Sequence, residues 1–327
     1  NSEVCSRPEI RGYFRPSLGF VSVFPYVFTF RTLYGAVVRL FACWGLAKVR
    51  RVSIRAFGCL NICKIKSNDN LSRVNMGSLG FFEEVFGKHG LIIPVYSDFG
   101  ILEEICQELV EVENPSDENV GRILSAVYNP NHLAAMVLTR YPNVPIVSEY
   151  QMSIAESIEA HFLGLGHVAV AGLMPVVEGV GRLLYEQRGL GSRRGNGIVK
   201  RFEKLVSFAI CEVNEKKTGD YAEVESMLNS FQTFLKTCFY SDSGSYPLAD
   251  KTNRNGVTHG DYTDKEFGSP LNFYKTLSAV DMLCLISSFQ VFPPKQTTES
   301  KALAMYYQSM RKHSHASREA WGKFLSQ

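Results

Sequence analysis

Apolar residues recur every three to four positions through most of the chain after Met76, which is the spacing of one face of an α-helix. In FGILEEICQELVEV, for example, Ile101, Ile105 and Leu109 share such a face. No sustained alternation of apolar and polar residues, the pattern of a half-buried strand, follows Met76. The sequence therefore predicts an all-α protein.

Breaks in this periodicity divide the chain into three parts. Four short helical patterns over 76–145 predict a small helical unit, and longer patterns over 146–327 predict a helical bundle. The pattern after Ser269-Pro270 is apolar almost all round, so we expect that helix at the centre of the bundle. Residues 1–75 form a basic N-terminal segment whose structure the pattern leaves open.

Charge separates the N-terminal segment from the rest of the chain. Residues 1–75 hold 12 Lys and Arg against 3 Asp and Glu, whereas residues 76–327 hold 23 against 29. The acidic balance of the larger part argues against broad capture of RNA, since affinity for the phosphate backbone comes from clustered basic residues. Four basic residues could still form a local RNA-binding patch: Arg193, Arg194, Lys200 and Arg201.

The apolar stretch from Leu18 to Leu46 is long enough in total to suggest a membrane span. Arg31 and Arg39 interrupt it, whereas a span needs about 20 nearly uncharged residues. We therefore expect no membrane partner.

The spacing of the cysteines predicts no framework of disulfides or metal ligands. All eight are scattered, and several lie inside apolar helical patterns, which favours reduced thiols in a cytoplasmic protein. Cys59 and Cys63 are the only close pair, and no second pair or nearby histidine completes a zinc set. The Gly-rich stretches GLGH and GLGSRRGNG do not follow a strand, unlike a dinucleotide-binding motif. The sequence thus predicts neither a metal nor a cofactor.

Residues 241–268 lack helical periodicity and lie just before the predicted central helix. A loop of this length inside a compact domain is usually functional or disordered. It contains Arg254, Asn255 and His259. If this piece is helical, Asn255 and His259 share a face, and the long Arg254 side chain must reach round to join them.

These three residues fit the chemistry of metal-independent RNA cleavage. An arginine supplies a fixed positive charge for a phosphate, and an imidazole transfers protons near pH 7. The 2′-hydroxyl group would attack the adjacent phosphorus while His259 moves a proton and Arg254 stabilises the developing charge. The residues alone leave an alternative open, in which Asn253, Asn255 and Gly256 build a turn that a His259 hydrogen bond holds.

A second set of charged residues lies in the helical pattern from about His167 to Gln187. Glu178 and Arg182 are four positions apart there, so we expect an ion pair on a different face from the apolar one.

The segment RNGVTH resembles the motif of HEPN proteins, which are helical bundles of prokaryotic defence and toxin systems. That motif is an arginine, usually followed by a polar residue, with a histidine four to six residues after the arginine. The wider context, LMPVVEGVGRLLYE upstream and SPLNFYKTLSAVDMLCL downstream, is similar to abortive-infection-type members. The resemblance covers roughly residues 150–292. One difference is Asn255, where a variant of the motif has histidine.

The resemblance implies a HEPN-like C-terminal bundle and roles for individual residues. Arg254 and His259 would be catalytic, Asn255 would assist, and Glu178, supported by Arg182, would orient the site. Known HEPN nucleases pair two motifs across a dimer, which implies a homodimer here. A defence or toxin endoribonuclease with a possible antitoxin partner is then the expected function. Because many relatives have lost catalysis, the alternative is an inactive helical module that binds or senses a partner.

Overall fold

The protein was analysed as a computed structural model, which describes residues 79–112, 115–192, 197–217, 220–290 and 292–325. The basic segment 1–75 lies outside these residues, as do Arg193 and Arg194. The described part contains eleven α-helices and no β-strand, which confirms the prediction of an all-α protein for that part. The helices are α1 (Leu79–Lys88), α2 (Phe99–Glu111), α3 (Asp117–Leu124), α4 (Pro130–Ala135), α5 (Gln151–Phe162), α6 (Gly166–Gln187), α7 (Ile198–Lys216), α8 (Tyr221–Phe234), α9 (Arg254–His259), α10 (Pro270–Ser288) and α11 (Thr298–Leu325).

The described helices belong to one compact unit, Lys66–Gln327. Helices from both sides of residue 145 pack together in it, with α3 against α10 and α4 against α11. The division into units 76–145 and 146–327 stays a prediction about independent folding.

Helix α10 lies at the centre of this unit, as its all-round apolar pattern predicts. Its first turn is closed by a capping box, in which the Asn272 backbone N–H donates to Ser269 Oγ at 3.1 Å and the Ser269 backbone N–H donates to Asn272 Oδ1 at 3.0 Å. Every residue from Leu271 to Ile286 is buried. A helix buried on all sides can carry apolar residues on every face, which explains why it shows no single apolar stripe.

Helix α6 packs against α5, α7 and α10. Among the described helices it alone is long and apolar enough to cross a membrane, with a mean hydropathy of 1.4, and 56% of that segment is buried inside the fold. Its packing on three helices is that of a core helix.

A close approach between α6 and α7 occurs at Gly181. A Cβ atom at this position would lie 2.2 Å from the Phe202 ring, so only glycine lets the ring rest on the helix backbone. The contact places the first turns of α7 beside the part of α6 that carries Glu178 and Arg182.

Helix α8 continues into a π-helical turn, Leu235–Phe239. A π turn inserts one residue into the helical repeat, so side chains after it point in new directions. Tyr240 follows this turn directly and is buried. The turn therefore ends α8 next to the irregular segment that leads to α9.

Candidate functional site

The segment RNGVTH forms the short helix α9, and the buried Asn253 side chain starts it. Asn253 Oδ1 accepts a hydrogen bond from the Gly256 backbone N–H at 2.8 Å, which caps the helix. The Asn253 amide group donates to the carbonyl oxygens of Cys238 at 2.8 Å and Ser241 at 2.9 Å. One asparagine thus both begins α9 and joins it to the end of the π turn.

A tight contact holds the other side of α9. A Cβ atom at Gly256 would lie 2.3 Å from the Tyr262 ring, so the ring packs directly on the helix backbone. The Tyr262 hydroxyl group donates to the Ser243 carbonyl oxygen at 3.0 Å. Gly260 ends the helix with a left-handed φ of 78°, a conformation that favours glycine.

Arg254 and His259 contact each other at opposite ends of α9. Arg254 Nη1 lies 3.2 Å from His259 Nε2. A guanidinium group can only donate, so Nε2 accepts and the imidazole carries its proton on Nδ1. His259 is exposed, and the contact of Asn253 with Gly256 forms the turn that begins α9, so the alternative of a turn held by His259 stays a prediction beside the catalytic one.

Glu178 on α6 supports Arg254 from inside the fold. Its Oε2 atom accepts from Arg254 Nη2 at 2.9 Å, and its Oε1 atom accepts from Arg182 Nη2. The side chain of Glu178 is 12% exposed, against 24% for Arg254. The i,i+4 pair with Arg182 follows the sequence prediction, and the same carboxylate also reaches the second arginine. A buried acid therefore joins two guanidinium groups.

Asn255 lies next to this pair but makes only long contacts. Its amide group donates to the Ser241 carbonyl oxygen at 3.3 Å, and its Oδ1 atom lies 3.4 Å from Arg254 Nη1. Asn255 is thus placed at the edge of the Arg254–His259 pair and helps to hold α9 on the preceding loop.

The predicted RNA-binding residues occupy different environments. Lys200 is exposed on the first turn of α7, whereas its neighbour Arg201 is buried. Arg193 and Arg194 lie outside the described residues. Of the four, only Lys200 is thus shown on the surface in the described part of the chain.

Tyr240 belongs to the same neighbourhood, although the sequence pattern did not single it out. Burial raises the pKa of its hydroxyl group above the usual range, and the negative charge of Glu178 raises that pKa further. The positive charges of Arg254, Arg182 and Arg201 act in the opposite direction. The charges of Glu178, Arg254, Arg182 and Arg201 thus all act on this hydroxyl group.

A separate polar network fixes the chain just before α9. Asp250 Oδ2 lies 3.0 Å from Lys275 Nζ, and both side chains are 1% exposed. Lys275 also donates to the His89 carbonyl oxygen at 2.7 Å, and the Asn272 amide group donates to Thr252 Oγ1 at 2.8 Å. These contacts tie the segment that precedes Asn253 to the central helix α10.

The arrangement has the parts needed to handle a phosphate group. Arg254 presents a fixed positive charge at the surface, His259 presents an imidazole beside it, and Glu178 holds the arginine in place. Comparison with protein-family models, curated proteins and solved structures gave no match for this chain.

Proposed function

We propose that the protein is a metal-independent endoribonuclease of a defence or toxin system, with a HEPN-like bundle as its catalytic domain. The observation that carries this proposal is the surface contact between Arg254 and His259, at 3.2 Å, above the buried Glu178 carboxylate. An arginine held by a carboxylate keeps a defined position at little further cost in side-chain entropy when it meets a phosphate.

The reaction is an internal transesterification of the RNA strand. The 2′-oxygen forms a bond to the adjacent phosphorus, and its proton passes to His259. The bond from phosphorus to the 5′-oxygen breaks, and the leaving oxygen takes a proton from a protonated imidazole or from water. Arg254 donates to the phosphate oxygens, whose negative charge grows in the transition state. The products are a 2′,3′-cyclic phosphate and a 5′-hydroxyl end.

Substrate binding must first release His259 from Arg254. In the free protein Arg254 Nη1 lies within hydrogen-bonding distance of Nε2, the nitrogen that would otherwise take a proton. A phosphate is a stronger acceptor for a guanidinium group than a neutral imidazole is, because the phosphate is charged. Arg254 would therefore turn its Nη1 donor to the phosphate, and Nε2 would become free to act as the base.

The proposal includes an assembly and a cellular setting. By resemblance to HEPN nucleases, two copies would bring their Arg254 and His259 together as a homodimer in the cytoplasm. The imidazole of one copy would then take the proton while that of the other protonates the leaving oxygen. An antitoxin protein would cover this surface when cleavage must be prevented.

The test is RNA cleavage by the purified protein in the presence of EDTA. We expect cleavage by the parent and a loss of about 100-fold or more in His259→Ala, the usual size of a general acid–base contribution. His313→Ala is the matched control, because His313 is also exposed on a helix but belongs to α11. Equal cleavage by the parent and His259→Ala, or cleavage only after a metal is added, would contradict the proposal.

One observation favours the second candidate, an inactive module that binds or senses a partner. In the free protein Arg254 already contacts Glu178, His259 and Asn255. Its N–H groups are therefore used in contacts within the protein. The same assay separates the two candidates. A module would bind RNA or a protein with no turnover, and its binding would survive His259→Ala.

A further inference from the structure

The hydroxyl group of Tyr240 is buried without a partner. Tyr240 is 7% exposed, and its Oη atom has no hydrogen bond to any part of the chain that the structure describes. The same is true of Arg182 Nε, on the arginine that pairs with Glu178. Nearly all buried polar groups are hydrogen bonded, because an unmade bond costs the full desolvation penalty. Two such groups in one neighbourhood therefore need a physical explanation.

Several packing contacts bring these groups together. The Tyr240 ring lies 5.6 Å from the Phe202 ring, and the Phe202 ring rests on Gly181, the residue before Arg182. On the other side of Tyr240, the Ser241 carbonyl oxygen accepts from Asn253, the residue before Arg254. Tyr240 thus lies between the chain segments that carry Arg182 and Arg254.

The charges in this neighbourhood do not balance. Arg182 and Arg254 both act on Tyr240, and Glu178 is the carboxylate that binds both of them. Both oxygens of the Glu178 carboxylate are engaged, one by Arg182 and the other by Arg254. Two arginines that share one carboxylate have a surplus of positive charge, partly shielded from water, that an anion would neutralise.

Both unpartnered atoms can donate a hydrogen bond, which favours an anion with several acceptor oxygens. A tyrosine hydroxyl group and guanidinium N–H groups from different helices approach from different directions. A tetrahedral oxyanion offers three or four acceptor oxygens to such a set, whereas a planar carboxylate offers two. A phosphate group fits better than a carboxylate for this reason.

We propose that Tyr240, Arg182 and Arg254 form a subsite that binds a backbone phosphate of single-stranded RNA next to His259. The inference rests on the proposed nuclease function for the identity of the ligand. Arg182 and Arg254 form its open side, since their side chains are 42% and 24% exposed, and Tyr240 forms its floor. The subsite positions the strand and takes no part in proton transfer.

Tyr240→Phe tests the subsite, because it removes the hydroxyl group and keeps the ring. Thermal unfolding is measured with and without inorganic phosphate at constant ionic strength, set with sodium chloride. Without phosphate we expect the variant to unfold at the same temperature as the parent or higher, since a buried unpaired donor is gone. With phosphate we expect the parent to gain stability and the variant to gain less. The Kd for 2′-O-methylated single-stranded RNA should rise about tenfold in the variant.

Tyr96→Phe is the matched control. Tyr96 is also buried, its hydroxyl group also has no partner within the described residues, and it lies against an arginine, with Arg140 4.7 Å above its ring. The charges that act on Tyr96 are those of Cys284, Asp281 and Arg140, which do not belong to the Tyr240 cluster, so Tyr96→Phe should keep the full response to phosphate. An equal response of the parent and Tyr240→Phe, or no response of the parent, would overturn the subsite.

The two proposals fail in different ways. If the parent does not cleave RNA while Tyr240→Phe weakens the binding of phosphate and methylated RNA, the result supports the subsite and contradicts the nuclease function. If the parent cleaves RNA and Tyr240→Phe changes neither the binding of phosphate and methylated RNA nor the KM for RNA, the result supports the nuclease function and contradicts the subsite. Methylated RNA cannot be cleaved through its 2′-oxygen, so its binding is measured separately from catalysis.

Discussion

The Glu178 carboxylate on α6 holds the Arg254 guanidinium on α9, with Oε2 2.9 Å from Nη2. Arg254 in turn contacts the exposed His259, so a largely buried acid fixes a pair at the surface. The orientation of the pair therefore depends on a helix of the core as well as on the contacts that hold α9.

Glu178→Gln should damage cleavage more than folding. The amide keeps the shape of the side chain but loses the charge that holds two guanidinium groups, so Arg254 becomes free to move. A displacement of about 1 Å at a catalytic group can cost about 100-fold in rate, and we expect a loss of kcat of that order. The free energy of unfolding should fall by about 1–3 kcal/mol. Cleavage assays and urea unfolding measure the two effects.

Glu212→Gln is the control for that variant. Glu212 is also 12% exposed and also joins two cations, with Arg188 Nη1 and Lys216 Nζ each 2.5 Å from its oxygens. A similar loss of stability with unchanged cleavage is expected, because these residues belong to another part of the fold. Equal losses of kcat in the two variants would show that the Glu178 effect is a general loss of structure.

Arg254→Lys should remove most of the activity with little change in stability. A lysine has one charged nitrogen and cannot reach Glu178 and His259 from two sides, as the guanidinium group does. We expect kcat/KM for RNA to fall by at least about tenfold while the midpoint of urea unfolding changes little. Arg122→Lys, in an exposed pair with Glu108, is the control and should leave cleavage unchanged. Full activity of Arg254→Lys would mean that cleavage needs only a positive charge at this position and not the two-sided contacts of the guanidinium group.

The sequence predicted the helices and part of the site, because both depend on residues that are close together in the sequence. The 3.6-residue repeat follows from the backbone, so the helical class and the central position of the helix after Pro270 could be inferred from apolar residues alone. The pair Glu178–Arg182 is also local, since four residues span one helical turn.

The remaining contacts of the site depend on how distant segments pack. The bond from Glu178 to Arg254 forms because α9 is tied to the π turn by Asn253, and no spacing in the chain encodes that contact. Tyr240 was missed because the π turn Leu235–Phe239 shifts the helical phase just before it. The pattern of α8 therefore gave no sign that the charges of Arg182 and Arg254 act on Tyr240.

Gly256→Ala should distort α9 although alanine favours helices. The new methyl group would lie 2.3 Å from the Tyr262 ring, so the ring or the helix must move. We expect a loss of about 1–3 kcal/mol in the free energy of unfolding together with reduced cleavage. Gly87→Ala in α1 is the control, because a Cβ atom there meets nothing within 4 Å. That variant should gain about 0.5–1 kcal/mol, and a gain of this kind in Gly256→Ala would contradict the contact.

Lys275→Met should destabilise the protein strongly. It leaves the Asp250 carboxylate, 3.0 Å away and 1% exposed, without its cation. Breaking a buried pair in this way costs about 3–5 kcal/mol, which urea unfolding at pH 7 would measure. Lys88→Met breaks a pair with Glu84 whose lysine side chain is 56% exposed, and we expect a change below about 1 kcal/mol. Similar losses of unfolding free energy in the two variants would show that burial does not determine the cost of breaking an ion pair.

Asp281→Asn should change how stability depends on pH. Burial raises the pKa of the Asp281 carboxyl group from 3.8 to about 7, although the hydrogen bond from Tyr141 and the charge of Arg140 lower it. Between these two values the folded protein keeps the proton and the unfolded chain releases it. Stability is therefore highest below the lower value, falls as the pH rises and levels off above about 7.

Asparagine does not titrate, and its carbonyl oxygen can still accept the Tyr141 hydrogen bond, which is 2.8 Å long in the parent. The parent should therefore lose stability relative to Asp281→Asn as the pH rises from 4 to 8, by up to about 4 kcal/mol in all. Urea unfolding at one-unit intervals of pH measures this difference. A difference that stays constant from pH 4 to pH 8 would mean that Asp281 titrates alike in the folded and unfolded chains, so burial would not be what keeps its proton.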